Sequence, residues 1–155
     1  MTGIAKILIV DDDESIRKVL QAILEEKGYA VESVGTAKKA IEIAKKKLYN
    51  VALLDIRLPD MDGTELLSRI KDTIPRMRKI IITGFPTLQN AIDAVNKRAD
   101  AYIMKPFDVE KVLATIEDQL KKQEEESEYS QEKVADFIET RVKELTLQEA
   151  KSKKP

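Results

Sequence analysis

The chain has no cysteine and no histidine among its 155 residues. Without cysteine there is no disulfide and no thiol chemistry. Without histidine, a Ser-His-Asp triad and a histidine-ligated zinc site are both impossible. Any metal must be held by oxygen, which leaves magnesium, manganese or calcium. Charge of one sign is also lacking. The 27 basic and 28 acidic residues leave a net charge of −1, so no bulk attraction to nucleic acid or to an anionic membrane is expected. No apolar run approaches the roughly 18 residues of a membrane span, and no long apolar segment opens the chain. A cytoplasmic protein is the expectation.

What is present begins with enough apolar material for a core: 43% of residues are hydrophobic, against 35% charged. Short apolar runs recur at Ile7–Val10, Val51–Leu54, Ile80–Ile82 and Ala101–Met104, with a weaker one at Tyr29–Val34. Runs this short and this continuously apolar suit strands buried on both faces. Between them lie stripes of helical period: Ile16, Val19, Leu20, Ile23 and Leu24; then Ala37, Ala40, Ile41 and Ala44; then Leu66, Leu67 and Ile70. A fourth joins Leu88, Ala91, Ile92 and Val95, and a fifth Val109, Val112, Leu113, Ile116 and Leu120. Gly28 can end the first helix, and Thr36, Thr87 and Asp108 can cap the second, fourth and fifth. Five βα units in series predict an α/β fold with a doubly wound, five-stranded parallel sheet. Its ligand site belongs beyond the carboxyl ends of the strands.

The residues at those ends form a coherent set. Strand one runs into Asp11, Asp12 and Asp13, strand three into Asp55, strand four into Thr83 and Gly84, and strand five into Lys105 and Pro106. Packed carboxylates raise each other's pKa and repel, and a hard divalent cation relieves both effects. Lys105 and Thr83 then remain for an anionic ligand. Carboxylates, magnesium, lysine and hydroxyl are the parts of a phosphoryl-transfer site. No GxxxxGK[ST] phosphate loop exists, so a nucleotide is not the expected phosphoryl source. Asp13 is expected to cap the first helix, whose dipole favours an anion there. Met61 and Met104 are expected as core filler. The Pro59–Gly63 loop reads as turn chemistry through Pro59, Asp60, Asp62 and Gly63.

The segments VDD (Val10–Asp12), LLDIRLPDMDG (Leu53–Gly63), ITG (Ile82–Gly84) and YIMKPF (Tyr102–Phe107) together resemble the receiver domain of two-component response regulators, over roughly Ala5 to Gln123. The resemblance, not the periodicity, implies a flavodoxin-like strand order 2-1-3-4-5. It implies that Asp55 accepts a phosphoryl group from a phosphohistidine on a sensor histidine kinase. It implies Mg2+ (or Mn2+) held by Asp12, Asp55 and the backbone carbonyl of Arg57, with Asp11 acting through water. Lys105 and Thr83 would hold phosphoryl oxygens, and Tyr102 would be an aromatic switch coupled to Thr83. The Lys105–Pro106 bond would be cis. Arg57 and Phe85 would flank the approach of the hydrolytic water and tune dephosphorylation. Arg98 stands where a glycine is usual in the family. The face made by the fourth helix, fifth strand and fifth helix would carry the switch to a downstream partner or to a second copy.

Two other readings compete. Asp11, Asp13 and Ser15 resemble the nucleophile motif of haloacid-dehalogenase-type phosphatases, with Asp11 as nucleophile and Asp13 as general acid/base. That family's further acidic pair on a later strand has no counterpart after Lys105, and Asp55 is left unexplained. A non-phosphorylated pseudo-receiver scaffold is opposed by the complete set of Asp11, Asp12, Asp55, Thr83 and Lys105. Residues 1–122 are therefore expected as a phosphoacceptor domain that is not an enzyme in its own right, and 123–155 as a charged linker and amphipathic helical extension. Lys121–Glu132 fits either a solvated helix or a linker. Beyond it, Val134, Phe137, Ile138, Val142 (or Arg141) and Leu145 form a stripe that needs a cover, through self-association or a partner. No DNA-reading motif appears in this tail.

Overall fold

The computed structural model describes residues 3–70, 73, 75–84, 92–94, 96 and 99–152. Five strands, β1 (Lys6–Val10), β2 (Ala30–Val34), β3 (Val51–Leu54), β4 (Arg78–Thr83) and β5 (Ala101–Met104), form one parallel sheet in the order β2-β1-β3-β4-β5. The expected architecture and order are therefore what the chain adopts. Strand β4 starts two residues earlier than its apolar run, because Arg78 and Lys79 are buried in the sheet.

Alternation along each strand feeds two cores. Leu8, Val10, Ala52, Leu54 and Ile81 face α2 (Ala37–Lys46) and α3 (Gly63–Arg69). Ala37, Ala40 and Ala44 are the buried face of α2, small enough for close approach to the sheet. On the other side Ile7, Ile9, Leu53, Ile80 and Ile103 meet Leu20 and Leu24 of α1 (Glu14–Glu26) and Val112 and Ile116 of the C-terminal helix (Val109–Ser152). Truncating a fully buried residue such as Leu54 or Ile116 to alanine is worth about 2–5 kcal/mol.

Local chemistry sets the helix ends. Asp13 caps α1 by accepting from the Ser15 and Ile16 amides, and Thr36 caps α2 through Lys39. Asp108 accepts from the Glu110 amide at the start of the C-terminal helix. Gly28, at φ 95°, ends α1 in a Schellman arrangement: its amide donates to Glu25 O, and the Tyr29 amide to Leu24 O.

Four apolar expectations fail. Val19 is 52% exposed, Met104 55%, Ile92 43% and Val109, at the first residue of the C-terminal helix, 38%. Val19 sits beside the buried stripe of α1 rather than on it, Met104 ends an edge strand, and Ala94 takes the buried place expected of Ile92. Thr87, Leu88, Ala91, Val95 and Arg98 lie outside the described residues.

Contacts divide the chain into two compact units, 1–123 and 124–155. Residues 121–132, open to either a helix or a linker by sequence, are helical.

Candidate phosphoacceptor site

Sheet register builds this site. Val10 pairs with Leu54, so the next residues of β1 and β3, Asp11 and Asp55, leave the sheet side by side. Their amides are tied back, Asp11 N to Val34 O at 3.2 Å and Asp55 N to Val10 O at 2.9 Å. Two strands away Thr83 pairs with Met104, and the amide of the following Lys105 donates to Thr83 O at 2.7 Å. The Lys105 stem runs past Gly84, where an added Cβ would stand 3.6 Å from its own Cβ. Its ammonium then donates to Asp11 Oδ2 at 2.7 Å and to Asp55 Oδ2 at 3.0 Å. The Lys105–Pro106 bond is cis.

The second carboxylate oxygens are held from below. Asp11 Oδ1 accepts from the Asp13 amide at 2.9 Å, and Asp55 Oδ1 from the Arg57 amide at 3.2 Å. Asp12 is exposed, yet one oxygen each from Asp11, Asp12 and Asp55 lies within 4.8 Å of the others. Two of these three carboxylates, Asp11 and Asp55, thus share one ammonium. Burial raises the Asp55 pKa above the usual carboxylate value and the Asp11 charge adds to it; Lys105 and the Arg57 amide oppose the shift without cancelling it. Burial alone would lower Lys105, but its hydrogen bonds to Asp11 and Asp55 raise it, so it stays charged. An all-oxygen, net-negative cluster with an exposed third carboxylate has the donor chemistry for Mg2+ or Mn2+.

Of the other residues expected at the site, Thr83 is fully buried at the end of β4. Tyr102, paired with Ile81, packs against the α2–α3 core; its hydroxyl is buried without a hydrogen-bond partner among the described residues, and burial raises its pKa. Arg57 is exposed. Phe85 lies outside the described residues. Asp13, the acid/base of the phosphatase reading, is instead engaged in capping α1, which disfavours that reading.

Three contributors escape sequence reasoning. Arg17 Nη1 donates to the Asp11 carbonyl oxygen at 2.6 Å and steadies the β1–α1 turn. Asp60 is more than a turn residue, since its two oxygens accept from the Ala37 and Lys38 amides, both at 2.9 Å, at the start of α2. Those bonds hold its pKa below the usual value. Gly63 is required by contact: an added Cβ would collide with the Asp55 carbonyl oxygen. Only the D-x-D-G spacing hinted at the last two, and nothing pointed to Arg17.

Residues 7–117 match the family profile described as response regulator receiver domain. Transcriptional regulatory protein ZraR of Klebsiella oxytoca is 36% identical over 114 residues, which are 74% of this chain and 26% of that protein. The chain therefore spans about a quarter of the length of this relative. Among solved structures, a CheY-like response regulator receiver domain protein from Methanospirillum hungatei JF-1 aligns with TM-score 0.77 and 44% identity over 80% of this chain and 99% of that one. A beryllofluoride-activated NtrC4 receiver domain dimer aligns with TM-score 0.71 and 37% identity over 76% and 98%.

Proposed function

Since the chain belongs to the family of response regulator receiver domains, we propose that Asp55 is its phosphoacceptor, taking a phosphoryl group from a phosphohistidine on a sensor histidine kinase. The observation that carries this reading is the sharing of one ammonium, Lys105, by the buried carboxylates of Asp11 and Asp55 beside exposed Asp12. An Asp55 oxygen attacks phosphorus, the P–O bond forms as the P–N bond breaks, and the imidazole nitrogen keeps the electron pair and takes a proton. Asp11, Asp12 and Asp55, with the Arg57 carbonyl, would hold Mg2+ (or Mn2+), which supplies charge neutralisation of the transferred group. Lys105, freed from Asp55 as that carboxylate becomes an acyl phosphate, pairs with a phosphoryl oxygen, and Thr83 receives another. The domain assists its own phosphorylation and dephosphorylation but otherwise signals rather than turns over substrate. Acid-labile label on Asp55 after treatment with acetyl phosphate and magnesium tests the reading; label on Asp11, or none, overturns it.

The kinase would dock beside the acceptor. A shallow open depression there is lined by Ile16, Lys105, Pro106 and Phe107, and Val19 adds exposed apolar surface on the same helix as Ile16. Thr83 and Tyr102 would carry the switch to the face of the fourth helix, β5 and the start of the C-terminal helix, where a downstream protein or a second copy binds. The buried Tyr102 hydroxyl, unbonded among the described residues, supports a side chain with an alternative position. If Thr83→Ala and wild type show the same phosphorylation-dependent amide exchange on that face, the coupling is wrong.

Signal decay completes the proposal. Neither the Arg57 nor the Phe85 side chain can accept a hydrogen bond from water, so self-dephosphorylation is slow. The double variant Arg57→Asn, Phe85→Glu should lose Asp55 phosphate faster than wild type. Residues 1–122 are the receiver and 123–155 its extension. No helix among the described residues is long and apolar enough to cross a membrane; a cytoplasmic location and a protein rather than nucleic-acid partner are part of the proposal.

A further inference from the structure

From Glu124 to Lys151 the chain is helical, and every residue but Ser127 is exposed. Ala135, Ile138, Val142 and Leu145 follow one another at spacings of three, four and three, the seam pattern of a two-stranded coiled coil. Ile138, Val142 and Leu145 are each at least half exposed. The helix also exposes Val134, Phe137 and Leu147 outside this seam, and a continuous apolar seam requires a cover.

The charges choose the cover and its direction. The same spacing extended outward places Glu128 and Gln131 before the seam and Glu149 after it. A parallel partner would set Glu128 on Glu128 and Glu149 on Glu149, and would stack the acidic stretch Glu124, Glu125, Glu126 and Glu128 on itself. An antiparallel copy of the same helix avoids every one of these contacts. It sets Ile138 against the partner's Val142 and Ala135 against the partner's Leu145, with Gln131 facing the partner's Glu149. It also brings the acidic stretch to the other end of the segment, where the sequence carries Lys151, Lys153 and Lys154. Charges beside the middle of the seam are already neutralised within one helix, Arg141 with Glu144 at 3.1 Å and Lys143 with Glu139 at 3.4 Å. They therefore need nothing from a partner.

We propose that residues 124–152 pair antiparallel with the same segment of a second copy of this chain. The seam is short, so the dimer is weak, with a Kd of roughly 10–100 μM.

The test uses the full chain. Sedimentation equilibrium should show a monomer–dimer equilibrium in the wild type, and Ile138→Gln, Val142→Gln should weaken it at least about tenfold. Both replacements are good helix formers, and unchanged labelling of Asp55 reports an intact receiver. Because the chain lacks cysteine, Gln131→Cys and Glu149→Cys can be oxidised singly or mixed. The mixture should cross-link well above either variant alone. A wild-type chain that stays monomeric to about 1 mM, a dimer untouched by the double replacement, or Gln131→Cys cross-linking to itself as readily as the mixture, each overturns the proposal.

Discussion

At the carboxyl ends of the strands one cation, Lys105, lies between two buried anions, Asp11 and Asp55; at the amino ends one anion, Asp100, lies between two cations, Arg76 and Arg78. Asp100 takes both Arg76 nitrogens, at 2.7 and 3.0 Å, an Arg78 nitrogen at 3.3 Å and the Lys79 amide at 2.8 Å. Gln123 closes that end by donating to Asn50 O and Arg76 O. Burial alone would raise the Asp100 pKa, but the Arg76 hydrogen bonds, the Lys79 amide and the two guanidinium charges bring it below the usual value, whereas Asp55 is held above it. The difference teaches what a buried polar cluster is for. Asp100 is saturated, so its end fixes the start of β4 and β5. The Asp55 end carries more negative charge than its one lysine neutralises, and that excess is what a divalent cation would settle.

Asp55→Asn gives the largest expected effect, complete loss of labelling by acetyl phosphate. Asp100→Asn at the opposite end should leave labelling of the folded protein unchanged; if it does not, the two ends are not separate. Next comes Lys105→Met. It removes the ammonium proposed to meet the transferred group, and labelling should fall about 10²–10³-fold. Magnesium affinity, read by fluorescence or calorimetry, should hold or rise, because a competing positive charge has gone.

Stability tests follow. Asp100→Asn leaves two guanidinium groups without their anion and should cost about 3 kcal/mol in urea denaturation. The pH dependences should run in opposite directions. Asp100 is lowered, so its contribution is present above the ordinary carboxylate range and lost as pH falls through its lowered pKa; the cost of Asp100→Asn should shrink only in strong acid. Asp55 is raised, so its ionisation costs stability as pH rises from that range through its raised pKa. Asp55→Asn should therefore stabilise the metal-free protein at neutral pH, and the gain should vanish in acid. Parallel pH profiles for the two variants would break the contrast.

The smallest effect is metal linkage. Magnesium at ten times its Kd should stabilise the wild type by about 1.4 kcal/mol, and Asp12→Ala should abolish the gain. A thermal shift of equal size in that variant would move the metal elsewhere.

The strands, their alternation with helices and the acids at the strand ends were all legible in sequence, because strand burial and helical period are local properties that a dozen residues express. Asp11, Asp12, Asp55, Thr83 and Lys105 stood out for the same reason, each immediately beyond an apolar run. Val19, Met104, Ile92 and Val109 were misread because apolar character does not say which side of an element the core lies on.

Sequence alone determined the list of parts: five short strands between helices, oxygen ligands only, and one lysine and one threonine at strand ends. Tertiary structure decided their pairing. Lys105 meets Asp11 across 94 residues and Asp55 across 50, Asp60 reaches the α2 amides across 22 and 23, and Gly63 is required only where the Asp55 backbone passes beneath it. Contacts of that range follow strand order and register. These arise when both faces of the whole sheet are buried at once, and no local window of sequence contains that information.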